Sequence, residues 1–306
     1  MMRHKGEQAV TVQALRGAAP YIHMFKGKAF IIKTGGGAFS DEATMRSLME
    51  QIGILHHLGI RVVMVHGGGP QLNEVTEKLG VETRMIQGRR VTNSGAIDAT
   101  SMVLNGLINT KLLALCREFD IPAIGISGVD GGLVRARRRA PVTLASGETV
   151  DYGMVGDIDR IDASVVTRLL DAGLLPVVSP LSADESGQLL NINADTVAAA
   201  IGGAMGAEKL ILCTGAPGIL ERVDDPRSLI SYTDLEGLRR LREEGSLAEG
   251  MLPKSSAIET AIRSGVRRVH VISYAPADAL LAEVFTNEGT GTLVVADTKA
   301  LTPAEQ

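Results

Sequence analysis

Short apolar runs alternate with amphipathic stretches along the whole chain. The runs are rich in Val and Ile and nearly continuous in hydrophobicity, which is typical of strands buried on both faces of a sheet. The stretches between them have the spacing of helices with one apolar face. The sequence therefore predicts an α/β fold, a three-layer α/β/α sandwich with a mainly parallel open central sheet. Strands are predicted at residues 29–33, 61–65, 123–126, 175–179, 210–213 and 269–272, and helices at 41–58, 97–118, 163–172, 194–205, 234–244 and 254–264, with one more ending at Lys78.

One stretch, residues 135–157, interrupts this alternation with several glycines among polar residues. Its pattern predicts a β-hairpin that leaves the sheet. No linker rich in Pro, Gly or Ser divides the chain, so we expect two lobes on one continuous sheet. We place an N-terminal extension at residues 1–27, an N-lobe at 28–187 and a C-lobe at 188–306.

The composition narrows the class of protein. The chain has 306 residues, of which 45% are hydrophobic and 22% charged, and this excludes a disordered polymer. A net charge of −4 gives no reason to expect nucleic acid as a partner. No apolar run reaches the roughly 20 residues of a membrane span, and residues 1–17 lack the apolar stretch of a signal peptide. Because Cys116 and Cys213 are too few for a disulfide framework or a zinc site, we expect a cytoplasmic protein.

Two of the predicted strands end in triple glycines, at 35–37 and 67–69, and a helix follows each. Glycine lets backbone N–H groups approach a ligand, and the start of a helix favours an anion. Glycines that only make tight turns would give the same pattern. Lys33 lies immediately before the first glycine run, where its ammonium group can reach phosphate oxygens. The P-loop pattern and the dinucleotide fingerprint are both absent, so the sequence predicts a phosphate site of another type.

Two helix starts carry further candidates. Asn191, Asn193 and Asp195 lie at the start of the helix 194–205. An ordinary helix cap explains any one of them, but three such groups in five residues indicate polar recognition as well. Lys254 opens a later helix and is a second candidate for phosphate binding.

These motifs, in this order, resemble the amino-acid kinases, and among them the acetylglutamate kinases. The similarity extends over about residues 15–295 and implies the fold of that family. It also implies phosphoryl transfer from ATP to the side-chain carboxylate of N-acetyl-L-glutamate, a step of arginine biosynthesis. A carboxylate is ionised at pH 7, so this reaction needs positioning and charge neutralisation rather than a general base. The motifs are residues 32–36, 65–71, 90–92, 127–132, 155–157, 191–195 and 250–254.

The resemblance implies a role for each motif. Lys33 and Lys254 would stabilise the transferring phosphoryl group, and Asp195 would orient both lysines. Arg90 would hold the α-carboxylate of the substrate and Asn191 its acetamido group. ATP and Mg²⁺ are the implied cofactors, with the nucleotide on the C-lobe, the acyl amino acid on the N-lobe and no metal ligand from the protein. Backbone groups would come from Gly35, Gly36, Gly68 and Gly69, and the nucleotide loop would consist of Thr214, Gly215, Ala216, Pro217, Gly218 and Ile219.

Three positions depart from the pattern of the resembled family. Gly37 stands where Asn is usual, Gly215 where Asp is usual, and Val129 where Lys is frequent. Two alternatives to an acetylglutamate kinase therefore stay open. One is a kinase of a different N-acyl amino acid, and the other is a non-catalytic amino-acid-binding regulator with a degenerate ATP site.

Both ends of the chain resemble the arginine-inhibited members of the same group. In those members an N-terminal helix joins dimers into a hexamer, so the resemblance implies a homo-oligomer, either a dimer or a hexamer. It also implies L-arginine as an effector. A docked terminal helix and an ordinary loop-to-strand turn would explain the same segments without an effector. The residues of the implied arginine site are Tyr21, His270, Glu283, Gly289 and Gly291.

Overall fold

The computed structural model describes residues 2–86, 89–144 and 146–300. The strands are β1 (Ala29–Thr34), β2 (Arg61–His66), β3 (Arg84–Ile86), β4 (Arg89–Val91), β5 (Ala123–Ser127), β6 (Val134–Arg138), β7 (Val142–Thr143), β8 (Thr149–Val150), β9 (Gly156–Ile161), β10 (Leu175–Ser179), β11 (Leu181–Ala183), β12 (Leu189–Asn191), β13 (Lys209–Thr214), β14 (Tyr232–Asp234), β15 (Arg268–Ser273) and β16 (Thr292–Val295). The α-helices are α1 (Met2–Phe25), α2 (Glu42–His57), α3 (Gly69–Lys78), α4 (Ser94–Ser101), α5 (Thr110–Glu118), α6 (Ala163–Asp171), α7 (Ala194–Met205), α8 (Leu235–Glu243), α9 (Leu252–Arg263) and α10 (Ala279–Phe285).

The central sheet has eight strands in the order β14-β16-β15-β13-β1-β2-β10-β5. The six strands from β15 to β5 in this order run parallel to one another. At the other edge, β16 is antiparallel to β15, and β14 is parallel to β16. The predicted fold class, an α/β sandwich around a mainly parallel open sheet, is confirmed.

Alternate residues of the central strands feed two apolar clusters, one on each face of the sheet. On β1, Ile31 belongs to one cluster, whereas Phe30 and Ile32 belong to the other. All three side chains are completely buried. This burial on both faces explains why the strands are apolar throughout rather than alternating in polarity.

Side-chain caps fix the starts of five helices. In each case an Asp or Asn accepts a hydrogen bond from a backbone N–H two or three residues later, which satisfies a donor that the helix leaves unpaired. Helices α2 and α8 begin one residue after their predicted starts because Asp41 and Asp234 are caps outside the helices, whereas α6 and α7 begin where predicted and α4 and α9 begin two or three residues earlier. The caps are Asp41 for α2, Asn93 for α4, Asp162 for α6, Asn193 for α7 and Asp234 for α8.

The predicted hairpin is confirmed and is longer at its base than expected. Strand β6 pairs antiparallel with β9, and the short strands β7 and β8 pair beyond them. The basic run on β6 is paired with aspartates. Arg138 lies 2.7 Å from Asp151, and Arg137 and Arg139 form ion pairs with Asp159 and Asp157.

One helical stretch, Ser94–Glu118, is long and apolar enough to cross a membrane by length and composition, and half of that window is buried inside the protein. It consists of α4, a π-helical segment (Met102–Asn109) and α5. Cys116 on this stretch packs in the apolar cluster that contains Ile32. The stretch is a core helix of the fold, since its apolar face covers one side of the sheet.

Candidate active site

Two lysines from distant parts of the chain meet at one carboxylate. Lys33, near the end of β1, places its ammonium nitrogen 2.8 Å from Oδ1 of Asp195, in the first turn of α7. Lys254, in the first turn of α9, places its ammonium nitrogen 3.0 Å from Oδ2 of the same carboxylate. The Lys33 and Asp195 side chains are 6% and 3% exposed, while that of Lys254 is 20% exposed. One anion thus holds two cations at the edge of a buried site.

The electrostatics of this cluster favour an incoming anion. Burial would raise the pKa of Asp195, but the two ammonium groups outweigh it and hold that pKa below its ordinary value. Burial lowers the pKa of Lys33, and the charge of Lys254 lowers it further, whereas Asp195 opposes both. With all three groups ionised, the cluster carries one net positive charge. A phosphoryl group with negative oxygens would balance that charge.

The two glycine turns are packed against each other above the sheet. A Cβ atom on Gly36 would lie 2.8 Å from Cα of Gly68 and 2.9 Å from the backbone nitrogen of Gly69. A Cβ atom on Gly68 would meet the side chain of Ile108 in the π-helical segment. Backbone atoms leave room only for glycine at position 36, and this close approach brings the two turns together.

A cavity of about 340 Å³ lies at this place, and both lysines, Asp195 and the two glycine turns line it. Its far wall comes from the β3–β4 hairpin, from Pro180 after β10 and from residues 191–194. The predicted residues Lys33, Asp195, Lys254, Arg90 and Asn191 therefore share one cavity. So do Gly35, Gly36, Gly68 and Gly69.

Arg90 has an unsatisfied donor in this cavity. Its side chain donates one hydrogen bond to Oδ1 of Asn73, while its buried Nη1 has no partner among the described residues. Burial lowers the pKa of this guanidinium from its ordinary value. A buried guanidinium with a free N–H is suited to a carboxylate. Asn191 donates to Oγ1 of Thr92 at 3.4 Å, which keeps its amide on the same wall.

The predicted nucleotide loop begins at the end of β13, the strand that pairs with β1 on the side away from β2. The hydroxyl of Thr214 accepts from the N–H of Ala216 at 3.1 Å and donates to its carbonyl at 2.9 Å. At the other end of the loop, the N–H of Ile219 donates to Oγ1 of Thr292 at 2.8 Å. Hydrogen bonds thus hold both ends of the stretch that contains Gly215, Pro217 and Gly218, and these residues do not line the cavity.

A second cluster joins the two ends of the chain. Tyr21 on α1 donates to Oδ1 of Asn287 at 2.5 Å. His270 on β15 lies 2.6 Å from Oε1 of Glu283, whose other oxygen accepts from the backbone N–H groups of Thr290 and Gly291. Gly289 has φ +62, and a Cβ there would lie 3.0 Å from Oε2 of Glu283. Close contacts thus join His270, Glu283, Gly289 and Gly291, and Tyr21 reaches the same segment through Asn287.

Ionisation in this second cluster departs from ordinary values. Burial lowers the pKa of His270 to about 4, and burial lowers the pKa of Lys209 to about 8. Burial would raise the pKa of Glu283, but His270 and the donors of Thr290 outweigh it and hold the pKa at about 2. Lys209 lies 2.9 Å from Nε2 of His270 and 5.1 Å from the ring centroid of Phe25 on α1.

Several residues of the two sites were not predicted from the sequence. Arg89 lines the cavity beside Arg90, although neighbouring residues of a strand are expected on opposite faces. Asn73 is the partner of Arg90, and Lys209 and Asn287 complete the second cluster. Of these residues, only Arg89 could have been suspected from the sequence, because it lies next to Arg90.

Residues 28–273 of this chain match the amino acid kinase family. The acetylglutamate kinase of Myxococcus xanthus is 46% identical over 287 residues, which are 92% of this chain and 93% of that protein. The acetylglutamate kinase of Symbiobacterium thermophilum is 41% identical over 282 residues, with 92% and 96% covered.

Two solved structures share the fold of this chain. N-acetylglutamate synthase from Neisseria gonorrhoeae, complexed with coenzyme A and N-acetyl-glutamate, matches with a TM-score of 0.81 at 27% identity. The match covers 94% of this chain, which spans only 64% of that synthase. Carbamate kinase from Giardia lamblia bound to AMP-PNP has a TM-score of 0.61 at 18% identity over 89% of this chain and 99% of that one, a likeness of fold alone.

Proposed function

Since this chain belongs to the amino acid kinase family, we propose that it phosphorylates the side-chain carboxylate of N-acetyl-L-glutamate with ATP. A carboxylate oxygen attacks the γ-phosphorus, the bond from that phosphorus to the bridging oxygen breaks, and ADP leaves with the electron pair. The product is an acyl phosphate, N-acetyl-L-glutamyl 5-phosphate. The observation that carries the proposal is the pair of lysines held by Asp195 beside a cavity with an unsatisfied arginine.

The roles follow from charge and position. Lys33 and Lys254 neutralise the charge of the phosphoryl group as it moves between two anions, which is the main difficulty of this reaction. Asp195 positions the two ammonium groups. Arg90 binds the α-carboxylate through its free Nη1, and Asn191 binds the acetamido group. Backbone N–H groups of the glycine turns at 35–36 and 68–69 add donors near the transferring group.

The two lobes divide the substrates between them. Most of the cavity wall comes from residues 28–187, so the acyl amino acid occupies mainly the N-lobe, and Asn191 reaches it from the C-lobe. The nucleotide occupies the C-lobe, residues 188–306, against the loop Thr214–Ile219. β1 pairs with both β2 and β13, so the central sheet joins the lobes at this strand. We place the protein in the cytoplasm, where ATP is available.

Mg²⁺ usually binds through one or two carboxylates together with the phosphates of its nucleotide. The described residues contain no group of three or more His, Cys, Asp or Glu side chains that could hold a metal ion by themselves. Asp195, the acidic residue of the cavity, already holds two ammonium groups. We therefore assign Mg²⁺ to the phosphates of ATP, which are its usual ligands at sites of this kind.

A coupled ADP-release assay over a panel of carboxylates tests the substrate. N-acetyl-L-glutamate should give the highest kcat/KM, ahead of N-acetyl-L-aspartate, N-succinyl-L-glutamate and free L-glutamate. A higher value for another acyl amino acid would identify a kinase of a different substrate. If calorimetry with Mg-AMP-PNP shows no binding and ADP is released with none of these compounds, the non-catalytic regulator is correct instead.

We further propose that L-arginine inhibits this enzyme by binding between α1 and the segment from Glu283 to Gly291. The support is the position of Tyr21, which binds Asn287 on the same segment that joins His270, Glu283, Gly289 and Gly291. Millimolar arginine should raise the KM for N-acetyl-L-glutamate, and Glu283→Gln should abolish this effect. The matched control is Glu288→Gln on the same loop, which should keep it. An unchanged activity curve of the unaltered protein in arginine would refute the proposal.

We propose a hexamer in which helix α1 joins dimers. The support is the presence of four exposed apolar side chains on this helix, at Val10, Val12, Leu15 and Met24. Light scattering should give the mass of six chains for the full protein and of two chains after removal of residues 1–17. A dimer in the full protein would contradict the role of α1.

A further inference from the structure

The side chain of Tyr274 lies over two glycines that follow different strands. Tyr274 comes directly after β15, and its backbone N–H donates to the carbonyl of Thr214 at 2.9 Å. A Cβ atom on Gly37 would lie 2.6 Å from the Tyr274 hydroxyl, and one on Gly215 would lie 3.2 Å from it. The tyrosine therefore reaches from β15 across the end of β13 to the turn that follows β1.

Among the residues that the structure describes, the Tyr274 hydroxyl has no hydrogen-bond partner. The ring of Tyr274 is half-buried and packs against the apolar cluster that contains Ile32. Within residues 2–86, 89–144 and 146–300, no group forms a hydrogen bond with the phenolic oxygen. The apolar cluster fixes the ring and leaves its hydroxyl between two polar turns. This hydroxyl can therefore donate a hydrogen bond to a ligand.

The position of this donor relative to the lysines indicates which ligand it meets. The cavity beside Lys33 is lined by the turns that follow β1 and β2 and by Pro180 after β10. In the sheet, the neighbours of β1 on the other side are β13 and then β15. If the carboxylate substrate fills the cavity, the nucleotide extends from the lysines across the end of β13. Tyr274 lies at that place.

We propose that Tyr274 is a nucleotide-binding residue whose hydroxyl donates to a phosphate oxygen of ATP, and that it fills the space left by the side chains absent at Gly37 and Gly215. The inference rests on the proposed function for the identity of the nucleotide. It assigns to one aromatic side chain a contact that the two glycines cannot make. It also explains why small residues stand at both positions.

Calorimetry with Mg-AMP-PNP tests the hydrogen bond. Tyr274→Phe should raise the Kd about tenfold, because a hydrogen bond to a charged phosphate is lost, while the Kd for N-acetyl-L-glutamate stays the same. The matched control is Tyr232→Phe, which removes a hydroxyl from β14 at the edge of the sheet and should leave both constants unchanged. An unchanged nucleotide Kd in Tyr274→Phe, or an equal loss for both ligands, would overturn the proposal.

A double-mutant cycle tests the shared space. Gly37→Ala places a methyl group against the Tyr274 hydroxyl, so nucleotide affinity should fall more than tenfold. Removing that oxygen in Gly37→Ala/Tyr274→Phe should restore affinity to the level of Tyr274→Phe alone. Strictly additive losses would contradict the shared space. Because AMP-PNP binding is read directly, nucleotide binding without phosphorylation of N-acetyl-L-glutamate would refute the proposed substrate and leave this inference standing.

Discussion

The ammonium nitrogen of Lys33 lies 2.8 Å from Oδ1 of Asp195, and both side chains are almost completely buried. β1 and the start of α7 supply these residues, and the second oxygen of Asp195 is taken by Lys254. A buried carboxylate with two cations is stable only while all three groups are present, because an unpaired charge in such a place is costly. In the proposed reaction, the same arrangement would place two positive charges beside the phosphoryl group as it passes between two anionic substrates.

Lys33→Ala should lower kcat by at least about 100-fold, because the charge is needed most while the phosphoryl group moves. Binding of N-acetyl-L-glutamate should change little, since Arg90 and Asn191 hold that substrate in the proposed complex. Steady-state kinetics and calorimetry measure the two effects separately. Lys78→Ala, on the exposed face of α3, is the matched control and should behave as the unaltered protein. A kcat within twofold of the unaltered value would remove Lys33 from the mechanism.

Asp195→Asn should reduce both activity and stability. Loss of the carboxylate leaves two ammonium groups close together and uncompensated, at a cost of about 3 kcal/mol in the free energy of unfolding. Asp195 raises the pKa of Lys33, so its loss lowers that pKa further, and the alkaline limb of the kcat profile should move to lower pH. Urea unfolding and a pH–rate profile measure the two effects. Asp171→Asn, whose partner Arg61 lies at the surface, is the control and should leave the profile in place.

Arg90→Lys should raise the KM for N-acetyl-L-glutamate about 100-fold and leave the KM for ATP unchanged. Lysine keeps the charge but loses the planar fork that binds a carboxylate through two N–H groups. The control is Arg84→Lys, on the exposed neighbouring strand β3, where no change is expected. Equal effects on both Michaelis constants would show that Arg90 supports the fold of the site rather than the substrate.

Stability should fall as the pH is lowered from about 6.5 to 4. Burial lowers the pKa of His66 to about 4 and that of His270 to about 4, so the unfolded chain takes up protons in this range while the folded chain does not. Each histidine then contributes up to about 3 kcal/mol that is present above pH 6.5 and lost by pH 4. Urea unfolding between pH 7 and 4 measures this slope. His66→Asn should reduce it and the exposed His23→Asn should not; the same slope in all three proteins would contradict the assignment.

Local patterns in the sequence predicted much of the fold and of the site. The buried strands follow from apolar runs, and the starts of α7 and α9 follow from capping and proline signals, so Asp195 and Lys254 could be placed at helix starts. The glycine turns were found for the same reason, since Gly36 and Gly68 lie immediately beyond strand ends.

What local patterns did not predict depends on contacts between distant residues. The pairing of Arg90 with Asn73 and of Lys209 with His270 joins different elements, and spacing carries no signal for such pairs. The strands β14 and β16 have only three and four residues, too few for a clear alternating pattern, and β14 lies at the edge of the sheet. The segment 273–275 departs from the pattern of the resembled family, but a role for Tyr274 could not be predicted, because its position over Gly37 arises only when β15 and β1 are placed in the same sheet.

The central claim is that a carboxylate is converted to an acyl phosphate at the two lysines. Hydroxylamine traps an acyl phosphate as a hydroxamate, so the protein should be incubated with ATP, Mg²⁺, N-acetyl-L-glutamate and hydroxylamine. The account predicts one hydroxamate for each ADP formed, and neither product at a comparable rate with Lys33→Ala. ADP formation without hydroxamate, or no ADP from a folded protein that binds both substrates, would contradict it.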